Sequence, residues 1–199
     1  MSETDDWTPD PSKSIKLPAN RQAMLDDVLA LYSCQPTIER VKRYTEDCIY
    51  DDQFVYANDR YKMAGQWFGL PKFFKESKTE RYQVVKNDPT LIQFYNEQSW
   101  TFKLLPKTAT INALVSLALE PESADSDFVR IKYHKDQANR KDYSHEGPTF
   151  AFKKWQADHV AEWMSSKEVE YFKRDSGKGG EDVRHHGSGT ANAEKWESK

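Results

Sequence analysis

The stretch Leu91-Ile92-Gln93-Phe94-Tyr95-Asn96-Glu97-Gln98-Ser99-Trp100-Thr101-Phe102-Lys103-Leu104 alternates apolar and polar side chains with a period of two. Ile92, Phe94, Trp100, Phe102 and Leu104 share one face, with Gln93, Glu97 and Lys103 on the other. This is the pattern of a long strand with one face in a core, and Pro106 ends it. Upstream, Arg81 to Asn87 reads as a strand closed by an Asp88–Pro89 turn. Downstream, Thr110 to Leu119 is apolar on both faces, which predicts a strand covered on both sides. Phe128 to Lys135 is the last strand of this meander.

Helices precede the sheet. Asn20 to Ser33 carries Met24, Val28, Leu31 and Tyr32 at helical spacing, with Asn20 as its cap. Pro36 starts a short helix with Ile38, Val41 and Tyr44 on one side. After a turn at Glu46–Asp47, Cys48 to Ala57 reads as a bent strand pair. Arg60 to Phe68 is a third helix, broken by Gly69-Leu70-Pro71. A last helix starts at Pro148 and runs through Trp163, with Phe152, Trp155, His159 and Trp163 as its predicted inner stripe. Helices followed by a sheet predict an α+β layer fold, a strongly curved antiparallel sheet closing over the helices as a cone.

The chain has 199 residues, enough for one domain with tails. Five of its eight glycines lie between Gly177 and Gly189, in a stretch of balanced charge. We expect a folded unit at residues 18–172, with disordered tails at 1–17 and 173–199. The net charge of −3 argues against nucleic acid as a partner, and no run of 18 apolar residues predicts a membrane span. Two cysteines without Cys-x-x-Cys spacing, no Asn-x-Ser/Thr acceptor and an acidic start point to a reducing, cytoplasmic or nuclear setting.

The helix pair, Tyr50-Asp51-Asp52-Gln53-Phe54-Val55-Tyr56, the helix end Gln66-Trp67-Phe68-Gly69-Leu70-Pro71 and the meander together resemble the nuclear-transport-factor-2-like superfamily, including its SnoaL-like proteins. The segment His134 to Gly147 is similar to one in uncharacterised fungal members of that superfamily. The resemblance covers about residues 20 to 165. It implies a cone-shaped pocket, frequent dimers through the sheet, and roles divided between small-molecule enzymes and non-catalytic modules.

Several residues could carry chemistry. Asn96 and Gln98 interrupt the apolar face of the long strand, and buried amides demand partners, either a ligand or the protein itself. Tyr56, Trp67, Phe94 and Trp100 could line a pocket for an apolar or aromatic molecule, or fill it. The carboxylates Asp51 and Asp52 are candidate bases if an apolar pocket raises their pKa, and turn formers otherwise. His134, with Asp136, Tyr143 and His145 nearby, could move a proton or simply shape a loop. No metal or cofactor is expected, since ligand spacings, phosphate-cradling glycine loops and a nucleophile elbow are all missing. Three functions follow as alternatives: a non-catalytic binder of a small molecule, a cofactor-independent lyase or isomerase, and a homodimerisation module using Leu114, Ser116 and Ala118 on the outer sheet face.

Overall fold

A computed structural model of the chain describes residues 7–104, 107–138, 147–164 and 166–179. Six strands form one sheet: β1 (Tyr44–Asp51), β2 (Tyr56–Ala57), β3 (Phe74–Asn87), β4 (Leu91–Phe102), β5 (Thr108–Leu119) and β6 (Ile131–Ala138), in the order β2-β1-β6-β5-β4-β3. The strands β3 to β6 pair antiparallel as the alternation predicts, whereas β1 and β6 are parallel. Three register shifts along β3 bend the sheet at that edge.

The helices α1 (Ala19–Tyr32), α2 (Ile38–Val41), α3 (Arg60–Phe73), α4 (Gly147–Trp163) and α5 (Lys167–Tyr171) complete the α+β fold. Met24, Leu25, Val28 and Leu31 of α1 and Met63, Ala64 and Trp67 of α3 form one buried cluster with Phe94, Val115 and Leu117 on the concave side of the sheet. Pro18, rather than Asn20, sits at the N-cap of α1, and the Asn20 amide donates to the Ser126 carbonyl. Glu46 and Asp47 lie inside β1 and not in a turn. The helix α3 continues through Gly69 and Pro71 to Phe73, since a proline in the last turn removes only one bond.

The buried face of α4 is not the predicted one. Phe152, Trp155 and Trp163 are exposed, while Lys153, Ala157, Ala161 and Met164 are buried. The reason is the closeness of α3. A Cβ on Gly65 would lie 2.5 Å from the Ala161 Cα, and only small residues permit such an approach.

The expected tails also shrink. Ile15 N–H donates to the Val84 carbonyl (2.9 Å) and Val84 N–H to Ser14 Oγ (2.9 Å), so residues before α1 cover the open edge of β3. Pro9 and Pro11 suggested a tail, but docking here uses backbone bonds that carry no periodic signature. At the other end, Asp175 is fully buried with Arg60 Nε at 2.8 Å. The expectations for residues 1–6 and 180–199 lie outside the described residues, as do Tyr143 and His145.

Candidate functional site

Strand alternation divides β6 into two chemistries. His134 and Asp136 face the concave interior, and Tyr133, Lys135 and Gln137 face the opposite side. Tyr50 of β1 pairs in register with His134, so it also faces inward, and its ring lies 4.9 Å from the imidazole. Tyr32, at the end of α1, and Trp67 of α3 close over them, with ring centroids 5.4 Å apart.

The hydrogen bonds there have one consistent direction. Tyr32 Oη donates to Asp136 Oδ2 at 2.7 Å. Its single proton is then used, so the 3.0 Å contact with His134 Nε2 requires that nitrogen to donate. His134 Nδ1 therefore accepts from Tyr44 Oη, at 2.8 Å. The imidazole is neutral and fully buried, and burial lowers its pKa to about 3. Both ring nitrogens of His134 are thus engaged within the protein, an arrangement that suits an orienting group better than a proton carrier. It orients Tyr32, and Tyr32 holds Asp136.

Asp136 has the features sought in a base. Burial, followed in importance by the opposing effect of the Tyr32 bond and by Asp52 and Asp51, raises its pKa to about 7. Its Oδ1 is shut off from solvent and has no hydrogen-bond partner among the described residues. Trp67 Nε1 and Asn96 Oδ1 are in the same condition. Unpartnered buried polar atoms are costly, and three inside one cone call for a reason.

Asp51 and Asp52 part company. Asp51 points away from the cone, where Lys153 Nζ of α4 lies at 2.9 Å and Tyr133 Oη donates to it at 3.2 Å. It is half of a buried ion pair and not a base in a pocket. Asp52 accepts the Phe54 and Val55 N–H groups, both at 2.6 Å, and Tyr50 Oη at 2.9 Å. It shapes the β1–β2 turn, although burial raises its pKa as well.

The expected ligand-binding residues also separate. Tyr56 packs on the convex side with Ile49 and Tyr133. Trp67 and Phe94 fill the cone, each 2 % exposed or less, and Trp100 packs at its rim. Gln98 is satisfied within the protein: it donates to Ser77 Oγ (2.7 Å) and the Tyr32 carbonyl (3.3 Å), and accepts from Thr79 Oγ1 (2.8 Å). Asn96 donates to Gln98 Oε1 at 3.4 Å. Two grooves, of about 640 and 530 Å³, lie elsewhere: between α2, α3 and α5, and around Lys42, Glu120 and Arg130. The proposed dimer face is covered within one chain. Leu114 and Ser116 are buried, and Thr8 and Lys153 reach that side of the sheet by bonds to Asn112 and Asp51.

The sequence reading ends the last strand at Lys135 and leaves Asp136 in a loop; β6 runs on to Ala138, and the His-x-Asp spacing then puts both side chains on one face. Tyr32 and Tyr44 carried no such signal, since each reads as an ordinary core residue of its own element. Among the described residues, no group of three or more His, Cys, Asp or Glu side chains could hold a metal ion, and no helix is long and apolar enough to cross a membrane.

No protein-family model matches the chain, and no curated protein is significantly similar to it in sequence. Solved structures do resemble it. An NTF2-like protein from Anabaena variabilis superposes with a TM-score of 0.51 at 11% identity, over 63% of this chain and 94% of that one. A protein with a ketosteroid isomerase-like fold from Catenulispora acidiphila, in complex with trimethylamine, gives 0.45 at 10% identity, over 57% and 82%. A function-unknown protein from Mycobacterium tuberculosis gives 0.45 at 11%, over 74% and 89%. At these identities the likeness concerns the fold alone, and the fold is the NTF2-like cone.

Proposed function

We propose that the chain binds a small carbonyl-containing molecule inside the cone and that Asp136 is the base of a cofactor-independent isomerisation or elimination. The observation that carries this reading is the state of Asp136. One carboxylate oxygen is fixed by Tyr32, the other is dry and unpartnered, and the pKa lies at about 7. A base poised near the working pH combines a useful ionised fraction with useful basicity. Asp136 removes a proton from carbon next to the carbonyl, and the electron pair moves onto the carbonyl oxygen. The unpartnered Trp67 Nε1–H is a donor for that oxygen. Protonated Asp136 then returns the proton to a different carbon, or a leaving group departs from the enolate. The close packing of Trp67 and Phe94 favours a ligand of few atoms over a large aromatic one.

The test is a screen of small carbonyl compounds for deuterium uptake from D2O, read by NMR. Wild type should exchange a carbon-bound hydrogen of at least one compound, with a rate that rises through pH 7. Asp136→Asn should lower that rate by about 100-fold or more, and Tyr32→Phe by less. Equal exchange by wild type and Asp136→Asn, or a carboxyl of Asp136 titrating near 4 in a carbon-13 spectrum, defeats the proposal. The second reading, a non-catalytic module, draws on the tight packing of the cone. It predicts no exchange with any compound.

A further inference from the structure

We infer that the end of the β3–β4 pair is a docking site for an anionic phospholipid surface. This goes beyond the interior site and does not depend on it. Phe73, Phe102 and Leu104 are exposed by 57%, 37% and 95%. They lie side by side, because Lys103 N–H donates to the Phe73 carbonyl at 3.0 Å. Behind them, Phe74 contacts both Phe102 and Trp100, with centroids 5.0 and 4.7 Å away. The exposed apolar groups therefore stand on a packed base.

The charge around them is mostly positive, with Glu76 of β3 the acid that lies across from Thr101. Lys72, Lys75, Lys103 and Lys107 are all exposed, and none makes an ion pair among the described residues. The same two strands behave differently a few residues away. There Lys78 meets Glu80 at 2.6 Å, Arg81 meets Glu97 at 2.7 Å and Lys86 meets Asp88 at 2.8 Å. Glu76, the nearest acid along β3, acts on Lys78. Four uncompensated cations around protruding apolar side chains match a surface with phosphate outside and hydrocarbon beneath. An acidic protein partner would match the charge, but protruding side chains call for an apolar phase they can enter. A chain with no membrane-crossing helix among its described residues can still rest on such a surface.

The experiment uses the full chain with sedimented vesicles of phosphatidylcholine, with and without about 30% phosphatidylserine, at about 0.1 M salt. We expect partition into the anionic vesicles, little into the neutral ones, and a fall at high salt. Replacing the four lysines by glutamine should lower the partition at least about tenfold. Leu104→Ser with Phe73→Ser should also lower it about tenfold, with thermal melting unchanged because both residues are exposed. No partition into anionic vesicles overturns the proposal. So does equal partition into neutral ones, and so does a serine variant that binds like wild type, since charge alone then suffices and an acidic polymer would serve as well.

Discussion

Two carboxylates on opposite sides of the same sheet make the clearest contrast in the molecule. On the convex side, Asp51 has a lysine at 2.9 Å, and both members of the pair are 2 % exposed or less. On the concave side, Asp136 has a tyrosine, a neutral histidine beyond it and no cation among the described residues. Asp51 is buried and Asp136 half-buried with its Oδ1 shut off from solvent, so burial by itself does not decide the chemistry. What decides it is whether a countercharge is buried along with the carboxylate. The convex side therefore holds a structural ion pair, and the concave side holds a carboxyl that can exchange a proton near neutrality.

The contrast can be broken most sharply at Lys153. Lys153→Met removes the cation 2.9 Å from the buried Asp51 carboxylate and should cost about 3–5 kcal/mol in urea unfolding. If the double change with Asp51→Asn recovers nothing, the pairing account fails. On the other side, Trp67→Ala should cost a similar amount, about 3–5 kcal/mol, because its ring fills the cone.

The next test is a slope with pH. The folded state keeps His134 neutral down to about 3, while the unfolded chain protonates it near 6.5, so this group loses stability as pH falls. The folded state holds the Asp136 proton up to about 7, while the unfolded chain releases it near 3.8, so this group loses stability as pH rises. The two effects oppose each other between about pH 4 and 6.5, and wild-type stability should be nearly level there. Asp136→Asn should expose the histidine alone, with stability falling by up to about 1.4 kcal/mol per pH unit on acidification. A variant as level as wild type would mean that one of the two groups is not buried as described.

Smaller effects sharpen what holds the helices over the sheet. Gly65→Ala should cost about 1–3 kcal/mol, since its methyl group meets Ala161. Trp163→Ala should change stability by less than about 0.5 kcal/mol, because the side chain is 65% exposed. A large loss there would restore the aromatic stripe of α4 to the core.

How much could be read beforehand depended on the range of the signal. The alternation in Leu91–Leu104 located β4 and its inward face, and Pro89 and Pro121 marked breaks beside β4 and β5. The sequence pattern ends the last strand at Lys135, and only the continuation of β6 to Ala138 puts Asp136 on the face of His134. In α4, two apolar stripes competed. Hydrophobicity favoured the aromatic one, while the approach of α3 selected the small residues, a matter of distance between elements that no local pattern records. Asp51 and Asp52 read alike in the sequence, as candidate bases or turn formers, yet one pairs with Lys153 and the other shapes a turn.

The amino-acid order by itself determined the elements, the curved α+β layer and the alternation that sorts side chains to the two sides of the sheet, because these follow from backbone geometry over a few residues. Only the tertiary structure decided which acid met a lysine, which tyrosines gathered around His134 and which face of α4 was left in water. Those outcomes depend on groups such as the hydrogen-bonded ones, 90 to 104 residues apart, arriving in contact, and on the low dielectric they then share.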